Sequence, residues 1–396
     1  MKTVLIIGAG IGGLTTALAL AQRGFAVEVL EQAPAIKEVG AGLQLSPNAM
    51  AVYSALGIAN QIEALSCEPK AGILRNGKKG TPLMMTEMGE VYHRRYSHKY
   101  LHIHRADLIE TLLLNTKKHN INIHLGMNIK ESDIEQDPIQ VQIGHTALQG
   151  NYLIAADGIR SLFRNPICGE SRPEFTGQIA WRGIIPTQSV PKNLIPFAAN
   201  NWLGHGQHFV SYYVKGGTMI NFVAVKEQAQ WTEERWDMPA NKSELAAAFS
   251  GWDSRISQLI EACDESFLWG LFDHAPLPHW TKGRMALLGD AAHPMLPFMA
   301  QGAAMAIEDA WVLAACLAKY ENDPHLALKR YETARKPRTT FMQSISRQNA
   351  ALYHMRPGLG RMIRDLKFQA ATLFSPALLA RLDKIYGVDV TQDYPA

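Results

Sequence analysis

The feature that most constrains this chain is the junction between an apolar run, Thr3 to Ile7 (TVLII), and the glycine turn Gly8-Ala9-Gly10-Ile11-Gly12-Gly13. A short, continuous apolar run is what a parallel strand covered on both faces requires. The spacing predicts a helix over 14–23, ended by Gly24, and a second strand over 27–30. Together they form a βαβ unit compressed into about thirty residues. Gly8 permits the tight turn, Gly10 lets the backbone approach a pyrophosphate, and Gly13 lets helix and strand pack closely. The helix N-terminus adds unpaired N–H groups and partial positive charge. Glu31, at the end of the second strand, is placed to accept hydrogen bonds from an adenosine ribose. The unit predicts a dinucleotide site, without separating FAD from NAD.

Two further motifs also follow apolar strands. Asp157-Gly158-Ile159-Arg160-Ser161-Leu162-Phe163-Arg164 comes directly after Leu153–Ala156. Gly289-Asp290-Ala291-Ala292-His293-Pro294 follows Arg284–Leu288, and Gln301-Gly302-Ala303-Ala304 then opens a long helix to about Lys319. An acid at a strand's carboxyl end, next to glycine, sits where α/β folds place ligands. Asp290 is suited to ribityl or ribose hydroxyls. The helix from Gly302 would aim its N–H groups at N1 and O2 of a flavin.

A chain of 396 residues exceeds a usual single core, so two lobes are expected. Residues 173–280 are rich in Trp, Gly and Pro and contain alternating strands such as Phe209–Val214 and Met219–Val225, which predicts a mostly antiparallel sheet inserted into the first lobe. With a net charge of only +3 and scattered basic residues, no nucleic-acid partner is expected. Cys67, Cys168, Cys263 and Cys316 lack CxxC spacing and a neighbouring His cluster. That points away from a metal and toward a reduced, cytoplasmic setting. Val4 to Ala21 is apolar after Lys2, but its glycines suit a strand, turn and helix better than a signal core. Ala303 to Ala318 is broken by Glu308 and Asp309, so no membrane span is expected.

The ordered set of GxGxxG with Glu31, DGxxSxxR and GDAAHP resembles the single-component (group A) FAD-dependent aromatic hydroxylases of the p-hydroxybenzoate hydroxylase fold, over nearly the whole chain. Within that family, Trp280 to Ala310 is most similar to the 6-hydroxynicotinate 3-monooxygenases, with the salicylate and 3-hydroxybenzoate hydroxylases close behind. The resemblance implies an α/β fold: a Rossmann-like FAD-binding domain (1–72, 101–172 and 281–330) with an inserted, mostly antiparallel β-sheet substrate domain (73–100 and 173–280) and a C-terminal helical segment (331–396). It implies FAD as cofactor and NADH or NADPH as co-substrate, the DG motif serving both, with no separate nicotinamide domain. Arg105, in HIHRADL, sits beside the FAD pyrophosphate in that family, and Gly42, Pro297 and Ala303 are likewise assigned to the cofactor.

The implied reaction uses O2 and a small aromatic substrate. NAD(P)H reduces the flavin, O2 adds at C4a, and the distal oxygen of the hydroperoxyflavin attacks an electron-rich ring, shielded from water. A base near the ring hydroxyl helps, because a phenolate is the better nucleophile. Alternation in Gln207 to Tyr213 puts His208, Val210 and Tyr212 on one strand face. Two polar aromatics there are either satisfied structural residues or working groups. Family members carry a His and a Tyr at this spacing on the matching strand, which implies His208 as base or proton shuttle and Tyr212 as its hydrogen-bonding partner. Arg182 would anchor a substrate carboxylate with its fork, or pair with a carboxylate between lobes. Gln44 and Phe298 stand near the flavin's reactive edge by analogy, where the 6-hydroxynicotinate enzymes are expected to carry histidines. A site built for a pyridinol loses those bonds here, so a hydroxybenzoate ranks level with it as substrate. His293 is expected to be structural. The rival readings are an FAD-dependent oxygenase or epoxidase acting on a non-aromatic substrate, and a flavin-binding protein without turnover. The family expectation is a monomer or homodimer.

Overall fold

The computed structural model describes residues 1–396 except 37–40, 128, 130, 134–136, 144–145, 170, 232–237, 374–375 and 396. One sheet has six strands in the order 281–282, 285–287, 152–155, 3–7, 26–30 and 122–124, and every neighbouring pair but the first is parallel. Its middle strands are apolar because little of them meets water: Val4, Leu5, Ile6, Leu153 and Ile154 are fully buried. Helices Ile11–Ala21, Arg105–Lys118 and Gly302–Lys319 share one core with this sheet. The first of these starts earlier than its apolar spacing predicts, directly after Gly10, because Ile11 to Gly13 already adopt helical geometry. Gly24 ends the connection in the left-handed region (φ +81°), as its position after the helix suggests.

Parallel strands share a direction, so their carboxyl ends share an edge. The strands 285–287, 152–155, 3–7 and 26–30 are consecutive neighbours. Gly289–Asp290, Asp157, the glycine turn and Glu31 therefore emerge side by side, although the chain separates them widely.

The second large sheet has eight strands in the order 238–239, 266–273, 174–186, 219–227, 207–214, 199–204, 71–76 and 82–87. It is antiparallel except where 199–204 runs parallel to 71–76. Period-2 alternation gives it two faces. Ile179, Trp181, Phe209 and Phe222 pack on the rear face with helices Lys242–Ala248 and Ser254–Glu261. Ala180, Val223 and Val225 pack on the front face with Leu296, Phe298, Ala350 and Tyr353. A two-stranded ribbon, Gly42–Leu45 with Leu101–His104, lies against that front face, and the chain closes with helices Pro324–Tyr353, Leu359–Leu373, Pro376–Tyr386 and Val390–Asp393.

Candidate active site

The glycine turn is built around three different spatial demands. Gly8 sits at φ +99°, and a Cβ there would lie 2.6 Å from the Ala156 carbonyl oxygen. A Cβ on Gly13 would lie 2.0 Å from the Gly8 carbonyl oxygen, so helix and turn touch backbone to backbone. At Gly10 a Cβ would meet no protein atom within 4 Å. The chain itself therefore does not need a glycine at that position, and a ligand that approaches the backbone does. Gly10 is also the N-cap of an uncapped helix with no acid in its first turn, which leaves the N–H groups available to an anion. Glu31 braces this turn: its carboxylate accepts from the Ala9 N–H (2.8 Å) and the Ala33 N–H (2.9 Å).

Beside it, Asp157 accepts from the Leu162 N–H at 3.0 Å, while its Oδ1 is buried without a partner among the described residues. Desolvation raises its carboxyl above the ordinary range despite the bonds from Ser161 and Leu162. Asp290 is exposed yet so enclosed that desolvation raises it too, with His293, Arg105 and Arg164 pulling the other way. An acid that water reaches inside a protein-lined recess is what hydroxyls of a bound ligand would meet. Arg164 is buried and ties two motifs together, donating to the carbonyls of Ile159 (2.7 Å), Asp290 (3.0 Å) and Ala291 (3.0 Å). The DGxxSxxR pattern displayed this arginine, but only the fold shows what its fork holds.

The long helix opens at Gly302 after Ala300 in the left-handed region (φ +52°), again with no side-chain cap and no acid in the first turn. Pro297 begins the turn before it and is exposed; Gly302 and Ala303 are half-buried. The open space at Gly10, the orphaned Asp157 oxygen and two uncapped helix N-termini form a donor and acceptor set that fits FAD. Asp290→Ala is expected to give protein that folds but purifies largely free of flavin, read from the flavin absorbance per chain. Full occupancy would remove Asp290 from the site.

On the front face of the large sheet, His208 is buried and its Nδ1 lies 2.8 Å from His354 Nε2. The ring of Phe298 packs edge-on against it at 4.9 Å, so these two residues are brought together. Tyr212 is not its partner, which corrects the expected pairing. Four residues along a strand span about 13 Å, so a shared face does not give contact. Tyr212 instead packs against His102, with ring centroids 4.4 Å apart and the planes tilted by 43°, and bonds with Gln44. Burial raises its hydroxyl to about 12, with Arg182 and the Gln44 bond opposing.

Gln44 also accepts from the Tyr100 hydroxyl at 2.5 Å. Arg182 lies over the Trp269 ring at 4.8 Å, on the sheet face it shares with Val210 and Val223 through strand register. Gly42, expected at the cofactor, has a local structural reason to be glycine. A Cβ there would lie 2.7 Å from the Tyr212 ring, and its N–H donates to Asn221 at 2.7 Å.

His102 and Asn221 were missed by residue reasoning. His102 is 1% exposed, its Nε2 has no partner among the described residues, and burial lowers its pKa to about 3. Asn221 Nδ2 and Asn201 Oδ1, likewise without a partner among the described residues, lie in the neighbouring eight-stranded sheet. Buried polar atoms left unpaired are costly, and a polar ligand would satisfy them. The register of Gln44 against His102 was the available signal, but it appears only once the two ribbon strands are paired.

A family model described as FAD binding domain matches residues 1–345. The chain is 36% identical over 368 residues to 3-amino-4-hydroxybenzoate 2-monooxygenase PtmB3 of Streptomyces platensis, covering 93% of this chain and 92% of that protein. It is 34% identical over 353 residues to 6-hydroxynicotinate 3-monooxygenase of Pseudomonas fluorescens, covering 88% and 91%. A solved salicylate hydroxylase substrate complex has a TM-score of 0.83 at 26% identity, covering 100% of this chain and 98% of that one.

Proposed function

Because this chain belongs to the family of FAD-dependent aromatic hydroxylases, with FAD as cofactor and NAD(P)H as co-substrate, we propose that it hydroxylates a hydroxybenzoate-type acid, with His208 as the base at the ring hydroxyl. When bound, FAD supplies the redox chemistry and the activation of O2. The Gly8–Gly13 turn would hold its pyrophosphate, Glu31 its ribose, Asp157 and Asp290 its hydroxyls, and the helix N-terminus at Gly302–Ala303 the polar edge of its ring. Arg105, which acts electrostatically on Asp290, would reach the phosphates.

The observation that carries this reading is the placement of His208, buried on the front face with its Nδ1 2.8 Å from His354 Nε2. Burial, reinforced by His354, holds its imidazole well below the ordinary range, so it is neutral and has a bare nitrogen for a proton. Nδ1 is engaged by His354, which leaves Nε2 as the nitrogen to face a substrate hydroxyl. Phe298 and Tyr353 wall the ring with apolar edges, which keep it neutral and shield it from bulk water. Tyr212, Gln44, His102 and Arg182 would orient the acid. Gln44 and Phe298 favour a benzoate over a pyridinol, because neither supplies the imidazole expected there in the 6-hydroxynicotinate enzymes. Among the described residues no helix is long and apolar enough to cross a membrane. A cytoplasmic setting in which the free cysteines stay reduced goes with this reading, as does a monomer or homodimer.

A screen of hydroxyaromatic acids for accelerated NAD(P)H oxidation with stoichiometric product tests the assignment. The expected hit is a hydroxybenzoate. Turnover of a non-aromatic substrate alone would overturn it. His208→Ala should slow hydroxylation by about 10²–10⁴-fold while FAD binding is retained. Coupled turnover at the normal rate would remove His208 from the chemistry.

A further inference from the structure

Behind His208 a polar line continues to the surface. His208 Nδ1 lies 2.8 Å from His354 Nε2, and His354 Nδ1 lies 3.1 Å from Glu227 Oε1. The two histidines are 2% and 4% exposed, whereas the Glu227 side chain is 54% exposed. Three elements hold the line: the strands 207–214 and 219–227, and the C-terminal end of helix 324–353. The turn at Gly206 clamps the ends, its N–H donating to the His354 carbonyl and its own carbonyl accepting from the Glu227 N–H. His354 lies beyond the 1–345 span of the family match, so that match assigns it no role.

Donor and acceptor capacities set the direction. A carboxylate only accepts, so the His354 Nδ1 facing Glu227 carries the hydrogen. A neutral imidazole has one N–H, so His354 Nε2 is bare and accepts from the His208 Nδ1–H. That leaves His208 Nε2 bare, which is the state a base needs. Burial lowers His354 as well, with Glu227 opposing and His205 adding to the effect. The groups facing His354 are therefore Glu227, His205 and His208, and only Glu227 is an acid.

We propose that His354 and Glu227 form a proton wire connecting His208 to solvent. This rests on the reading of His208 as the base. As the substrate O–H breaks, its proton bonds to His208 Nε2. The Nδ1 proton of His208 passes to His354 Nε2, and the Nδ1 proton of His354 passes to Glu227, which releases it to water. The wire runs inward when the product leaves as a neutral phenol, and this restores both starting tautomers. Neither His354 nor Glu227 touches substrate; both act through His208.

The test mixes FAD-loaded protein with 3-amino-4-hydroxybenzoate, without NAD(P)H, in weak buffer containing a pH-indicator dye. Flavin absorbance reports binding and the dye reports proton release. Glu227 is exposed, so Glu227→Gln and Glu227→Ala should fold and bind the acid normally yet release the proton at least about tenfold more slowly. Acetate should restore the rate of Glu227→Ala in a concentration-dependent way, which a purely structural role for Glu227 does not predict. Release at the wild-type rate in both variants overturns the wire alone. No release from the wild-type protein overturns the reading of His208 as base, and the wire with it.

Discussion

Gly13→Ala is expected to give protein that unfolds early and carries little flavin, whereas Gly10→Ala is expected to lose only the flavin. The added methyl group at position 13 would lie 2.0 Å from the Gly8 carbonyl oxygen, a backbone atom that cannot turn aside. Helix and strand must separate to admit it, at a cost of about 3 kcal/mol, the upper end for overpacking. At position 10 the same methyl group meets no protein within 4 Å, and the backbone (φ −75°, ψ −177°) suits any residue. Only a ligand lying against the turn would feel it. A 100-fold weaker FAD affinity, about 2.7 kcal/mol, is the expected result. Melting temperatures of the flavin-free proteins and FAD titrations separate the two effects. Unchanged FAD affinity in Gly10→Ala would show that the pyrophosphate lies elsewhere.

The second large effect is expected at Arg335. Its guanidinium is 2% exposed and lies 2.6 Å from Glu308 and 2.7 Å from Asp309, both fully buried. Arg338 and Asn48 complete the shell of Glu308, and His293 and the Gly289 N–H complete that of Asp309. Arg335→Ala leaves two buried carboxylates short of a cation, which destabilises by about 3–5 kcal/mol. Because Asp309 anchors the Gly289–His293 turn, FAD occupancy should fall as well. Denaturant unfolding reads the first effect and flavin absorbance the second; a loss below about 1 kcal/mol would show the cluster to be dispensable.

The same cluster sets an acid limit. Burial pushes both carboxyls up, but the surrounding charges and hydrogen bonds win and hold them below the ordinary range, Arg338 and Arg335 for Glu308, His293 and Arg335 for Asp309. With the folded-state values depressed, their contribution is complete above the ordinary carboxylate range. It is lost as the pH falls through the depressed folded values. Arg335→Ala should flatten that acid limb.

Much of this molecule is legible residue by residue. The run TVLII, the glycine turn, Gly24 and the second strand are local consequences of apolar pattern and backbone freedom, so the βαβ unit could be read directly. Each of the three motifs follows a strand in the structure, as its apolar lead-in implies. Alternation correctly put His208 and Tyr212 on one sheet face. It could not say that they take different partners, because contacts with other elements are not set by spacing along a strand. His208 is hydrogen-bonded to a residue 146 positions away, and no local pattern marks His354.

Glu308 and Asp309 show the same division most plainly. As residues they only made a membrane helix improbable. In the fold they are the buried anchor between helix 302–319, helix 324–353 and the turn bearing Asp290. By itself the sequence determined which segments become strands and helices and which glycines a phosphate turn requires, since those choices depend on sterics and periodicity within a few residues. Which acids share an edge, which histidine backs another, and which buried charges find a partner were decided by tertiary structure alone. Those outcomes depend on sheet order and on the neutralisation of buried charge, and both arise only when distant segments meet.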